Sequence, residues 1–182
     1  MRLSVRLASA ALLCASCAAL AQSEPSLLYT NQEYKFAVIF PALPMSRDVL
    51  FTAKDGSSRP AKQFYLDQGQ DHYSVTLVKL ADAPAVDGDV VAVAADQLRK
   101  KGMVRFEYHN CYDPGVPGRQ LNMAEANGQQ LRASVYMWDH QLYITEASAE
   151  PGSQPALQFE QSITILDSKG ELLDNGQGSP PC

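Results

Sequence analysis

Apolar side chains alternate with polar ones along most of this chain, and helical spacing interrupts the alternation in only two places. Phe36, Val38 and Phe40 share one face of a run that Pro41 ends. Tyr73, Val75 and Leu77 share a face of another, Val104, Phe106 and Tyr108 of a third, and Leu131, Ala133, Val135 and Met137 of a fourth. A period of two marks a strand with one face in a core. Shorter runs at 49–52 and 61–66 read as strands, as do 119–126 and 141–147. They are joined by turn signals: Asp55-Gly56, Gln68-Gly69, Pro114-Gly115, Asn127-Gly128 and Asp139-His140.

The first interruption spans 90–101, where Val91, Ala94, Ala95 and Leu98 recur at helical spacing. An Asp at 87 or 89 supplies an N-cap, and Arg99, Lys100 and Lys101 suit the last turn. Gly102 reads as the C-terminal stop. The second follows Ser153, with Pro155 in the first turn and Ala156, Phe159 and Ile163 on one stripe. Residues 163–166 read equally well as a short strand. Strands in two runs with a helix after each predict an α+β domain: one twisted antiparallel sheet of about six or more strands with two helices packed on it.

The first 21 residues carry Arg2 and Arg6, an apolar run at 7–13 and Ala19-Leu20-Ala21. That is the order of a secretory signal peptide, and the run is too short to span a bilayer. The mature protein is expected to begin at Gln22 in the periplasm or outside the cell. A lipoprotein-like cleavage before Cys17 is the alternative. The expected organisation is a signal at 1–21, a flexible leader at 22–33, one domain at 34–167 and a tail at 168–182. Removing 21 of 182 residues leaves 161, a length suited to a single core. The signal holds two of the 15 Lys+Arg and none of the 20 Asp+Glu, so the mature charge is −7. An acidic domain is repelled by nucleic acid and by anionic lipid, which excludes those partners, and no later run predicts a transmembrane segment. A monomer is expected. Of four cysteines, Cys111 and Cys182 survive cleavage, and in an oxidising compartment they are expected to form one disulfide that ties down the tail. Closing a loop of about 70 residues stabilises by roughly 4 kcal/mol in the chain-entropy model. The terminal Cys182 could instead bridge two chains.

The segments Phe36-Ala37-Val38-Ile39-Phe40-Pro41 and Gly118-Arg119-Gln120-Leu121 carry a family likeness. So do Val135-Tyr136, Leu142-Tyr143-Ile144 and Phe159-Glu160-Gln161-Ser162-Ile163. Together they resemble small exported bacterial domains of the PsbP-like fold, over about residues 34–166. The resemblance implies an accessory or binding protein without a shared catalytic motif, so it transfers no site residue, and no cofactor is expected.

Two constellations stand out in the residues themselves. Glu107, His109 and Cys111 lie at i, i+2 and i+4, so on a continuing strand they share a face and offer oxygen, nitrogen and sulfur donors suited to zinc or copper. The competing reading assigns Cys111 to the disulfide and leaves Glu107 and His109 in solvent. The other is an aromatic and arginine surface for an unidentified protein or small ligand. Tyr136 and Trp138 alternate with Arg132 and Ser134, and Arg119 is expected beside Arg132 across the hairpin. The competing reading buries those rings beneath a helix. His72 and His140 read as turn residues. Ser57 and Ser153 lack the strand-to-helix elbow of a nucleophile.

Overall fold

The structure, a computed structural model, describes residues 26–80, 87–112 and 116–173. The expected signal peptide with Ala21 and Cys17, the turn residues 113–115 and Cys182 lie outside the described residues.

The alternating runs become strands and both helical stretches become helices. In chain order these are β1 (Leu27–Asn31), β2 (Phe36–Phe40), β3 (Met45–Thr52), β4 (Ser58–Gln68) and β5 (Asp71–Lys79). Then come α1 (Asp87–Arg99), β6 (Met103–Cys111), β7 (Pro117–Ala124), β8 (Gln130–Trp138) and β9 (Gln141–Ala149). The last elements among the described residues are α2 (Gln154–Gln161) and β10 (Thr164–Ile165). The class is α+β. Seven strands form one antiparallel sheet in the order β3-β4-β5-β9-β8-β7-β6. Two meanders, β3–β5 and β6–β9, are sewn together by a single long-range pairing, Val75 of β5 opposite Thr145 of β9. The β8–β9 turn is a two-residue hairpin with Asp139 at φ 47° and His140 at φ 58°, the left-handed pair that matches strand twist. β4 begins three residues before the expected 61 because Pro60 lies inside it, opposite Leu50. Proline lacks a donor and reads as a boundary.

The single-sheet expectation needs correcting, because β1, β2 and β10 form a separate three-stranded sheet. The flexible leader at 22–33 is corrected with it. Leu27 pairs with Phe40 and Asn31 with Phe36, which makes this segment an edge strand. Its pattern is hidden because one inward side chain suffices: the Tyr29 ring lies 6.0 Å from Phe36, 6.0 Å from Phe40 and 5.6 Å from Phe64. The start of the expected tail is also ordered. Leu172 bridges Leu166, and the Leu173 amide donates to Ile165 O at 3.0 Å.

Both faces of the large sheet are covered. α1 lays Val91, Ala94, Ala95 and Leu98 on one, against Leu121 and Met123 of β7 and Ala133 and Val135 of β8. The other face carries α2 and the small sheet, whose Phe36, Val38 and Phe40 meet Phe64, Tyr73, Val75 and Leu77. β9 is buried along its whole length, as a strand covered on both sides must be. α2 starts at Ser153, whose Oγ accepts from the Ala156 amide at 3.4 Å, and ends at Ser162, whose Oγ accepts from the Ile39 amide at 2.9 Å. The helix is thereby fastened to β2. Among the described residues no helix is long and apolar enough to cross a membrane.

Two glycines are set by close approach. A Cβ on Gly102 would lie 2.6 Å from Ala124 O, so crowding, and not the expected left-handed cap, requires glycine there. A Cβ on Gly118 would enter the ring of Tyr136 and lie 2.7 Å from Asn110 O. Gly118→Ala is therefore expected to cost about 1–3 kcal/mol in urea unfolding. Phe159→Ala, at a fully buried ring, should cost about 3–5 kcal/mol in the same assay.

Candidate binding cleft at the sheet margin

Strand register decides which candidate residues meet. On β6 and β7, Glu107 stands opposite Leu121, His109 opposite Arg119 and Cys111 opposite Pro117, so the three expected ligands share the α1 side. They do not assemble into a metal site. Among the described residues no three of His, Cys, Asp and Glu are grouped so as to hold a metal ion. Glu107 is committed elsewhere. Arg99 Nε of α1 donates to its Oε2 at 2.8 Å, Arg99 Nη2 donates to Oε1, and Arg119 Nη1 donates to Oε1 at 2.7 Å. These guanidinium hydrogen bonds, Arg99 foremost, hold the Glu107 carboxyl below its ordinary value despite partial burial. The group that looked like a metal ligand is the ion pair that seats α1 against β6 and β7.

The expected aromatic and arginine surface is also corrected. Arg119 lies opposite Val135, whereas Arg132 lies opposite Asn122, which places the two arginines on opposite faces of the sheet. Arg132, Tyr136 and Trp138 do share a face, but it is the one the small sheet covers. Tyr136 is only 3% exposed. Its ring packs edge-on to Tyr112 at 5.6 Å, and its hydroxyl accepts from Asn110 Nδ2 at 2.9 Å. Burial pushes its phenol up to about 12. Trp138 is half-buried against the same core. His72, expected in a turn, is instead a strand residue of β5 that stands opposite Asp67 of β4 and bonds it.

An open surface with the expected chemistry lies two strands further out. α2 covers β8 and β9 and stops short of the β6–β7 margin. There Phe106 is 69% and Tyr108 is 55% exposed, on the strand that ends the sheet. Phe106 stands opposite Asn122 and Tyr108 opposite Gln120, which puts both rings on the α2 side. With Arg132 and Glu160 they line a cleft of about 200 Å³.

Glu160 forms the inner wall and was not singled out from the sequence. It follows Phe159 on α2, is 6% exposed, and receives Gln120 Nε2 at 2.8 Å and Ser134 Oγ on the same carboxylate oxygen. Burial lifts its carboxyl above the ordinary glutamate value, more strongly than Ser134, Arg132 and Gln120 pull it down. The Arg132 Nε is buried and has no hydrogen-bond partner among the described residues. The Tyr108 phenol is raised by partial burial and by Glu160, against the opposing pull of Arg132. The only sequence signal for this wall was an acidic residue beside the buried stripe of α2.

A scan against family models and a search of curated proteins by sequence find no match. Among solved structures, the solution structure of cyanobacterial PsbP from Synechocystis sp. PCC 6803 is similar at TM-score 0.51 and 13% identity, covering 84% of this chain and 98% of that one. A Pseudomonas aeruginosa protein of unknown function described as a putative regulator, PA94, is similar at TM-score 0.35 and 14% identity, covering 60% of this chain and 87% of that one. The chain has a PsbP-like fold.

The two glutamates bear on stability with opposite sign. The raised Glu160 contributes stability that is full below 4.5 and lost as pH rises through its folded value. Glu160→Gln stays neutral and can still accept from Gln120 and Ser134. It should therefore unfold at higher urea than the wild type at pH 8, an advantage that disappears below pH 4.5. An equal advantage at both pH values would contradict this assignment. The lowered Glu107 contributes stability above 4.5 that is lost as pH falls through its folded value. Glu107→Gln should therefore destabilise at pH 7 and have no effect at the acid end of the same titration.

Proposed function

We propose that this protein is an exported, non-catalytic accessory module that binds a protein or small ligand where β6 and β7 emerge from beneath α2. The observation that carries the reading is the exposure of Phe106 and Tyr108 on one face beside Arg132. Two large rings on one face beside an arginine and in a cleft are the composition of a binding surface. The basic, apolar and Ala-x-Ala order of residues 1–21 supports export, and the resemblance to PsbP-like domains supports an accessory role. In this reading Cys111, at the end of β6, pairs with Cys182 and ties the tail to the sheet margin.

Intact mass of the exported protein should show a chain beginning at Gln22 and two hydrogens lighter than the dithiol. A chain retaining residues 1–21, or one carrying two free thiols, contradicts export or the bridge respectively. A photo-crosslinking amino acid placed at Phe106 in living cells should give one discrete adduct. At the equally exposed Leu50, on the opposite edge strand β3, it should give none. Identical adducts at both positions, or no adduct at either, would remove the binding surface.

A further inference from the structure

The cleft is small and electrically mixed, and these two properties restrict what it can hold. At about 200 Å³ it falls below the roughly 300–1,000 Å³ of sites that enclose drug-sized molecules. It has room for one ring and not for a chain. One wall is apolar: Phe106 and Tyr108 stand two residues apart on one strand face, roughly 7 Å along the backbone. The other wall is made of planar polar groups, the amides of Gln120 and Asn122, the guanidinium of Arg132 and the carboxyl of Glu160.

These polar groups are held in place by one another and by Ser134 and Gln130 from outside the cleft. Glu160 is fixed by Gln120 and by Ser134 from beneath, and Asn122 Oδ1 accepts from Gln130 Nε2 at 2.9 Å. Arg132 is half-buried: its Nε lies beneath the surface with no hydrogen-bond partner among the described residues, and the outer part of its guanidinium lines the cleft. An anionic ligand that met the Arg132 guanidinium would also meet Glu160, on a protein whose net charge is already negative. A cationic ligand that met Glu160 would also meet Arg132. A ligand that suits both carries no net charge, and one with adjacent groups that each donate and accept, and an apolar face to lie on the rings, matches both walls. Vicinal hydroxyls on a saturated ring have that pattern: one accepts from the guanidinium, the next donates to the carboxyl, and the axial C–H bonds face the aromatic wall.

We propose that the cleft formed by Phe106, Tyr108, Gln120, Asn122, Arg132 and Glu160 binds one pyranose ring of a neutral sugar. This rests on the accessory-module reading and narrows it to a ligand class.

The test follows the side-chain amide resonances of Gln120 and Asn122 in the exported, disulfide-intact chain. The probes are D-glucose and N-acetyl-D-glucosamine, with acetate and ethylammonium as charged controls. At least one sugar should move both resonances to saturation in the millimolar range expected of a single ring, with the charged probes silent. Tyr108→Ala and Arg132→Gln should each weaken that response at least about tenfold. The unfolding midpoint of Tyr108→Ala should stay at the wild-type value, because the exposed ring it removes lies outside both cores. Saturation by acetate or ethylammonium without a sugar response overturns the proposal, as does silence with either sugar up to about 100 mM, far above the millimolar scale. The crosslink at Phe106 separates the two failures. An adduct in a sugar-blind protein removes the sugar and leaves the module, whereas silence in both experiments removes both.

Discussion

The Phe159 ring joins the two sheets of this protein. It lies 4.8 Å from Phe40 in the small sheet and meets Tyr73 in the large sheet edge-on at 5.5 Å. Without this wedge the three-stranded sheet would keep only its direct contacts to the large sheet, such as Phe36 with Phe64 at 5.3 Å, and two strands and a two-residue third bury little of a face alone. The helix that carries the wedge is only eight residues long, too short to be stable by itself. It persists because Ser153 caps its start, Ser162 ties its end to β2 and Phe159 anchors its middle.

The same helical turn produces the polar cleft. Fixing Phe159 in the core commits the next residue, Glu160, to the seam where β8 and β7 leave the shelter of α2. A carboxyl there loses water, which raises the cost of its charge, and the compensation is local: a serine from β8 and an amide from β7. The cleft therefore follows from core packing, and its polarity is held by strands that belong to the rigid part of the sheet. On the opposite face the pairing of charges serves the fold. Arg99 and Arg119 converge on Glu107 and set the position of α1 over the meander.

Much of the fold was readable in the residues. The two helices, the α+β class, the Asp139-His140 hairpin and the Ser153 cap follow from local rules of spacing, propensity and capping, which need no knowledge of distant neighbours. The candidate site was readable only in its ingredients. Aromatics with Arg119 and Arg132 were expected together on an open face of the hairpin, and the face that carries Tyr136 and Trp138 holds Arg132 but not Arg119. The exposed rings proved to be Phe106 and Tyr108, while Tyr136 went into the core beneath the small sheet. Arg119 and Arg132 sit on neighbouring strands, yet the register of Arg119 to Val135 sends them to opposite sides. A slip of one residue reverses a face, and the register here is set by how the turn around Asn127-Gly128 closes, with Glu125 N bonded to Gln129 O.

By itself the sequence determined which residues share a face, where the chain turns and where helices begin. These depend on backbone geometry within a few residues. Only the tertiary structure decided which faces are covered and which stay open. Coverage depends on contacts between segments far apart in the chain: β5 with β9, α2 with β2, and Leu27–Asn31 with β2. Periodicity says that Tyr108 and Tyr136 both point out of a strand. It cannot say that one lies under a second sheet and the other beyond the reach of α2, because that difference is one of distance across the sheet and leaves no mark in spacing along the chain.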